Sequence, residues 1–135
     1  MASITALKEG LATNLTTIPG LRVNSYIPDN VTPPVAIINP QSIEYHKAFA
    51  NGINTYTFVI SVLVGRVSER SAQAMLDNYC ASTGIYSIKS AIESDKTLSG
   101  NAFTLIVSDM RNYGSVTIGD NTYLTAEFDC AVQAN

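Results

Sequence analysis

Apolar residues at spacings of three and four open the chain and predict an amphipathic helix. They are Ile4, Leu7, Leu11, Leu15 and Ile18. Ser3 is suited to cap the start of this helix, because its hydroxyl can accept a backbone N–H of the first turn. Pro19-Gly20 is expected to end it, since the residue before a proline resists helical geometry. Gly10 weakens the helix without breaking it.

The same spacing predicts two further helices in the middle of the chain. The first follows Ser68, a plausible N-cap, and ends at Thr83-Gly84. Its apolar stripe consists of Ala72, Met75, Leu76, Tyr79 and Cys80. The second is shorter and is expected to start at Ser87. Its inward residues are Ile88, Ala91 and Ile92.

Strand patterns fill the region between the first helix and the second. Residues 21–27 are expected to form a short strand. Residues 35–39, an apolar run between prolines, are typical of a short buried strand. Residues 41–64 alternate between apolar and polar side chains on both sides of Asn51-Gly52, a strong turn signal. They are therefore predicted to form a long hairpin.

The last third of the chain also has the pattern of β-structure. Residues 103–110 and 114–118 are read as two strands, and residues 119–121 as a turn. The final strand alternates strictly, which indicates one buried face and one wet face. Its apolar residues are Leu124, Ala126, Phe128, Cys130 and Val132. Strands grouped with strands indicate an α+β fold: a mixed, mostly antiparallel sheet with an N-terminal helix and two central helices packed against it.

The length of the chain predicts a single domain over residues 1–135. Apolar residues make up 46% and charged residues only 14%, while Ser, Thr and Asn number 13, 13 and 11. Such an uncharged polar surface is readily buried against a partner, because few charges need desolvation. The net charge of −3, with no run of Lys or Arg, argues against nucleic-acid binding and a polybasic membrane anchor.

Targeting and processing signals are not expected. Residues 58–64, the longest mainly apolar stretch, are too few to cross a bilayer, which takes roughly 20 residues. Lys8 and Glu9 interrupt the apolar pattern of the N-terminus, so no signal peptide is predicted. The glycosylation sequons at Asn14 and Asn30 are therefore interpreted as accidental.

Two pairs of polar residues could in principle support chemistry. Glu44 and His46 share one face of a predicted strand, and a His–carboxylate pair can move protons or hold a metal. His46 is the single histidine, however, so an exposed polar strand is the simpler interpretation. Glu127 and Asp129 lie two residues apart on the wet face of the final strand. Exposure of that face to solvent accounts for both carboxylates without a catalytic role. We expect no enzyme, cofactor or metal site.

The cysteines and tyrosines also have simple structural explanations. Cys80 and Cys130 fall on predicted apolar faces, where free thiols pack as small hydrophobic residues. A disulfide between them stays open, because sequence does not show their distance. Several tyrosines lie in or beside strands and suit either an interface or ordinary packing. They are Tyr26, Tyr45, Tyr56, Tyr113 and Tyr123.

A succession of short segments resembles a known family. The opening helix runs into Ile18-Pro19-Gly20-Leu21, followed by Tyr26-Ile27-Pro28-Asp29 and the Pro33-Pro34 loop. Residues 87–95 precede Thr97-Leu98-Ser99-Gly100. Tyr113-Gly114 and residues 121–128 complete the pattern. Over nearly the whole chain, this order is similar to that of tail terminator, or tail completion, proteins of long-tailed bacteriophages.

The resemblance implies a structural protein of the virion tail or neck, assembled in the host cytoplasm. Such subunits form a ring, usually a hexamer, on the head-proximal end of the tail tube. The ring ends tube polymerisation and joins the tail to the head–neck connector, and DNA passes through its lumen without specific binding. The alternatives are a neck adaptor or a tail tube subunit, and, in another class, a small ligand-binding or enzymatic module using Glu44 and His46.

Ring assembly needs docking surfaces, and unpaired sheet edges are natural ones. The hairpin of residues 41–64 and the final strand are the expected edges. An acidic lumen would repel DNA and let it slide, and the acids to examine first for such a role are Asp120, Glu127 and Asp129.

Overall fold

The computed structural model describes residues 4–18, 21–24, 34–45, 54–66, 70–98, 100, 102–118 and 121–134. These residues form three helices and five strands. In chain order they are α1 (Ile4–Leu15), β1 (Arg22–Asn24), β2 (Val35–Glu44), β3 (Asn54–Arg66), α2 (Arg70–Cys80), α3 (Ile88–Ile92), β4 (Thr104–Ile118) and β5 (Asn121–Ala134). No helix among the described residues is long and apolar enough to cross a membrane.

The strands form one mixed sheet in the order β1-β2-β3-β5-β4. β1 is parallel to β2, and every other neighbouring pair is antiparallel. This arrangement confirms the predicted α+β fold with a mixed, mostly antiparallel sheet. The predicted hairpin is present as β2 and β3, which pair from Val35–Leu63 to Glu44–Thr55.

The three helices pack on one face of the sheet, which we call the helix face. Buried residues of the helices and of alternate strand positions form one core there. The helices contribute Leu7, Leu11, Leu15, Ala72, Leu76, Tyr79, Ile88, Ala91 and Ile92, and the two central strands contribute Tyr56, Phe58, Ile60, Val62, Leu124, Ala126, Phe128, Cys130 and Val132. The predicted stripes are therefore confirmed, with Ile4, Met75 and Cys80 only partly buried at the margin.

Two contacts hold α1 against α3 and the segment that follows it. The side-chain amide of Asn14, which is buried, donates hydrogen bonds to the carbonyl oxygens of Ile92 at 2.9 Å and Asp95 at 3.0 Å. Gly10 lies so close to Leu98 that a Cβ built on it would sit 2.8 Å from the Leu98 Cβ. Gly10 therefore permits a close approach, a role that its helix propensity does not reveal.

The predicted strand count was wrong in two places. The separate strands expected before and after Pro40 are one strand, β2, whose register to β3 shifts between Pro40 and Ser42. The two strands expected around residue 112 are likewise one strand, β4. Its register to β5 shifts twice, and Asn112 has a φ of 57°. A β-bulge can accommodate a proline or a residue with positive φ without ending the strand. The breaks in the alternating pattern at these two places are therefore irregularities within a strand and not turns.

The Ser87 N-cap is confirmed, since its hydroxyl accepts the backbone N–H of Ser90 at 3.1 Å. Other predicted caps and turns lie outside the described residues. These are Ser3, Pro19-Gly20, Asn51-Gly52, Ser68 and most of the 119–121 turn. Of the strand predicted over residues 21–27, the structure shows residues 22–24.

Candidate assembly surface

β4 forms one edge of the sheet, because among the described residues it pairs with β5 alone. At 15 residues it is the longest of the described strands. The outer side of such a strand presents backbone N–H and C=O groups that can pair with a further strand. β4 is therefore the strongest candidate docking element in the described sheet.

Large apolar side chains are exposed along this edge strand. Ile106 is 54% exposed, Met110 40%, Tyr113 46% and Val116 38%. Phe103, just before the strand, is 54% exposed. A long edge with exposed apolar side chains favours association with another strand, because pairing would satisfy the backbone and bury the side chains together. We call the outer edge of β4 with these side chains the β4 edge.

Charged and polar side chains brace the middle of β4 against β5. The Arg111 Nε donates to both carboxylate oxygens of Asp129, at 3.2 and 3.0 Å. The Asn112 side-chain amide donates to a carboxylate oxygen of Glu127. Glu127 and Asp129 thus lie half-buried in contacts with their neighbouring strand. These contacts fix the bulged part of β4 in place.

Tyr113 links the same part of β4 to the helix layer. Its hydroxyl donates a 2.7 Å hydrogen bond to Asp77 of α2. This hydrogen bond, with burial and the negative charge of Asp77, raises the pKa of Tyr113 to about 12. The middle of β4 is thus tied both to β5 and to α2.

Glu93, just after α3, contacts β4 at Val107, before the bulged part of the strand. One oxygen of its carboxylate, Oε2, accepts the backbone N–H of Val107 at 3.0 Å and the Lys89 ammonium at 2.6 Å. Burial by itself would raise the pKa of Glu93, but these two hydrogen bonds and the charges of Lys89 and Lys96 lower it below its usual value. Because the Val107 amide already has a partner, it is not available to a strand added at this edge.

The opposite face of the sheet, which we call the open face, contains an apolar concavity. Ile37 and Leu63 line it and belong to a small buried cluster with Val35, against which Tyr123 packs. A cavity of about 390 Å³ lies there, lined by residues of β2, β3, β4 and β5, from Ile37 to Val116 and Glu127. Since β2 and β4 are separated by two strands, the sheet must curve strongly around this cavity.

The predicted pair of Glu44 and His46 lies only partly within the described residues. Glu44 lies exposed at the end of β2, while His46 and Asp120 lie outside the described residues. Among the residues that the structure describes, no three His, Cys, Asp or Glu side chains come together as potential metal ligands.

Both cysteines are free thiols and pack as the sequence predicted. Cys130 is fully buried, and Cys80 is partly buried beside the core. Burial raises the pKa of the Cys130 thiol to about 12, and burial with the nearby Asp77 charge raises that of Cys80 to about 11. A thiol that stays protonated at neutral pH is a poor nucleophile.

The tyrosines divide between the two predicted roles. Tyr56 is buried in the core, and Tyr123 is half-buried on the open face. Tyr45 and Tyr113 are exposed and suit an interface. Tyr26 lies outside the described residues.

The predicted sheet edges need correction. The final strand, β5, lies between β3 and β4, and β3 lies between β2 and β5, so neither is an edge. The reason is that β5 returns from β4 to pair with the earlier β3, a long-range choice that strand patterning does not encode. The prediction that the hairpin supplies an edge holds in part, because among the described residues β1 pairs with residues 35–37 of β2 alone. The 41–44 end of β2 lies on the far edge of the described sheet.

Sequence reasoning missed β4 as the edge, although a signal was present. Leu105, Ile106 and Val107 are consecutive apolar residues, so both faces of the strand are apolar there. In an outer strand, such a pattern leaves one set of apolar side chains without a partner in the same chain.

Neither protein-family models nor curated proteins gave a match to this chain.

Proposed function

We propose that this protein is a tail terminator of a long-tailed bacteriophage. In this proposal, copies of the chain form a ring that caps the head-proximal end of the tail tube and ends its polymerisation. The ring joins the tail to the head–neck connector, and DNA passes through its lumen. The succession of segments described from the sequence supports the family. The observation that carries assembly is the β4 edge.

The β4 edge favours a partner strand over a small-molecule ligand. Its exposed large apolar side chains are spread along one strand from Ile106 to Val116, whereas a ligand site is a concave pocket in which a few polar groups converge. A charge-poor surface lowers the desolvation cost of burying this edge. In a ring, each copy would offer one surface to the next copy and a different surface to the previous one.

Electron microscopy and light scattering of the purified protein test this proposal. We expect closed rings of one size, and a cap at one end of tail tubes added to the sample. The double variant Met110→Lys/Val116→Lys should remain monomeric, because charges on the β4 edge would have to be desolvated on pairing. Ile85→Lys is the matched control, since Ile85 is 70% exposed but lies between α2 and α3.

The possible outcomes distinguish a tail terminator from a tail tube subunit. Rings that bind tube ends support a terminator. Filaments of the pure protein would support a tail tube subunit instead, since tube subunits stack on themselves. A chain that stays monomeric at high concentration and leaves tail tubes bare would overturn the proposal.

A further inference from the structure

The start of β4 combines an apolar sequence with a position on the edge of the sheet. Residues 103–107 read Phe-Thr-Leu-Ile-Val, with no charge, glycine or proline. The longer apolar run of residues 58–64 lies in β3, which has β2 on one side and β5 on the other. In β4, by contrast, only one side is paired among the described strands, and Phe103 and Ile106 are each 54% exposed. Residues 103–107 therefore present apolar side chains at a strand edge.

A stretch of this kind favours uncontrolled association of folded molecules. Short segments with high β-propensity and no charge or proline pair readily with strands of other copies and can continue into cross-β aggregates. Natural sheets protect such edges with charged side chains, or with a helix or loop that covers the strand. At the start of β4, the charged group in that position is the carboxylate of Glu93.

Glu93 contacts β4 at the end of this stretch. Its Oε2 accepts the Val107 N–H at 3.0 Å, so a backbone donor that an added strand would use already has an acceptor. The Lys89 ammonium lies 2.6 Å from the same oxygen, and Lys89 lines a cavity of about 180 Å³ together with Val107 and Ser108. A strand added here would have to break the Glu93–Val107 hydrogen bond and desolvate two charges.

The position of Glu93 is fixed by the surrounding fold. Its side chain is only 18% exposed, and it bridges Lys89 of α3 and Val107 of β4. The backbone beside it is held as well, because the carbonyl oxygens of Ile92 and Asp95 accept the Asn14 amide. Since Glu93 is already ordered, its contact with β4 requires little further loss of side-chain freedom.

We propose that Glu93 is an aggregation gatekeeper: its carboxylate, held on the Val107 amide, prevents residues 103–107 from pairing with a strand of a second copy of this chain. The inference goes beyond the proposed ring and does not depend on it, since it concerns an association that the folded subunit avoids. It also divides the β4 edge in two. The start is protected by Glu93, whereas Met110 and Val116 lie in the part that stays open to a partner.

Thioflavin T fluorescence and sedimentation of the full chain, agitated at neutral pH below its melting temperature, test this proposal. Glu93→Ala removes the acceptor and should shorten the lag before aggregation several-fold. Glu93→Asp keeps the charge near Lys89 but is one methylene shorter, so it should lose the Val107 contact and aggregate early as well. Glu93→Gln is the matched control, because its amide oxygen can still accept the Val107 N–H, and its lag should stay close to that of the native chain.

Two further variants separate the gatekeeper role from a general loss of stability. Ile60→Val weakens the fully buried core at β3 by about 1 kcal/mol and leaves Glu93 in place, so its lag should change little. Glu93→Ala/Ile106→Lys adds a charge at an exposed position of the unprotected stretch. It should restore the native lag, because that charge would be desolvated when another strand pairs.

Circular dichroism establishes that each variant is folded before incubation, and Glu93→Asp alone decides the outcome if Glu93→Ala does not fold. The Val107 amide should exchange faster in Glu93→Ala than in Glu93→Gln. An unchanged lag in the folded Ala and Asp variants would overturn the inference. Equal shortening in Ile60→Val would also overturn it, by showing that stability alone sets the lag. Aggregation of Glu93→Ala that Ile106→Lys does not suppress would do the same, because it would arise from another segment.

Discussion

The hydroxyl of Tyr113 in the outermost strand donates a 2.7 Å hydrogen bond to the carboxylate of Asp77 in α2. The two residues are far apart in the chain, and the bond connects the sheet edge to the helix layer. It holds in position the strand on which the proposed assembly depends.

Asp77→Asn should therefore shift the titration of Tyr113. The neutral phenol is the form that donates to Asp77, so the stabilisation is complete below the usual tyrosine pKa of about 10 and is lost as the pH rises through about 12. In Asp77→Asn, we expect Tyr113 to ionise closer to pH 10. Ultraviolet titration of tyrosinate measures this, with Tyr113→Phe identifying the signal. An unchanged titration in Asp77→Asn would contradict the assignment.

Asn14→Leu should destabilise the fold by about 1–3 kcal/mol, because it removes the amide that donates to the buried carbonyl of Ile92 and to the partly buried carbonyl of Asp95. Urea unfolding followed by circular dichroism measures the change. Asn78→Leu is the control, since Asn78 is exposed on α2 and should shift stability by less than about 0.5 kcal/mol. Equal effects of the two substitutions would show that the Asn14 amide does not hold α1 to α3.

Gly10→Ala should also destabilise, although alanine favours helix by about 1 kcal/mol. The new methyl group would lie 2.8 Å from the Leu98 Cβ, and overpacking of this kind costs about 1–3 kcal/mol. Gly114→Ala is the control in the isolated subunit, because its Cβ meets open space. Thermal unfolding of both variants checks this, and a rise in the melting temperature for Gly10→Ala would refute the close contact.

Glu93 should make stability depend on pH in the acid range. Since its pKa is lowered in the folded state, the stabilisation is present above the usual Glu value of about 4.3 and is lost as the pH falls toward the folded pKa. Glu93→Gln should flatten this part of the stability profile. Urea midpoints between pH 7 and pH 3 measure it, with Glu9→Gln on the exposed side of α1 as the control. Profiles of the native chain and Glu93→Gln that run parallel would count against the Val107 contact.

The two thiols should react slowly in the native protein, because burial raises the pKa of both well above neutrality. With an aromatic disulfide reagent at pH 8, we expect Cys130 to react only after unfolding and Cys80 to react faster than Cys130. Cys80→Ser and Cys130→Ser assign the two phases. Rapid labelling of Cys130 in the folded chain would show that the core opens there.

Local patterns were enough to predict most of the elements. The stripe of Leu7, Leu11 and Leu15 identified α1, and the alternation around Phe128 and Cys130 identified the buried side of β5. Both signals arise from the geometry of a single element, since a helix repeats every 3.6 residues and a strand every two. From the sequence we predicted that a sheet edge serves assembly, but not which strand forms that edge. Alternation of apolar and polar residues indicates that a strand is half-buried, and it does not indicate which strands lie beside it.

The sequence by itself determined an α+β chain with few charges, three amphipathic helices and strands with one buried side. Tertiary structure alone decided that β4 is the outer strand, that Glu93 holds the Val107 amide and that Tyr113 reaches Asp77. The physical reason is the distance along the chain between the residues that determine each feature. Periodicity is set by bonds between adjacent residues, whereas an edge is defined by which distant segments pair and which backbone groups they leave unpaired.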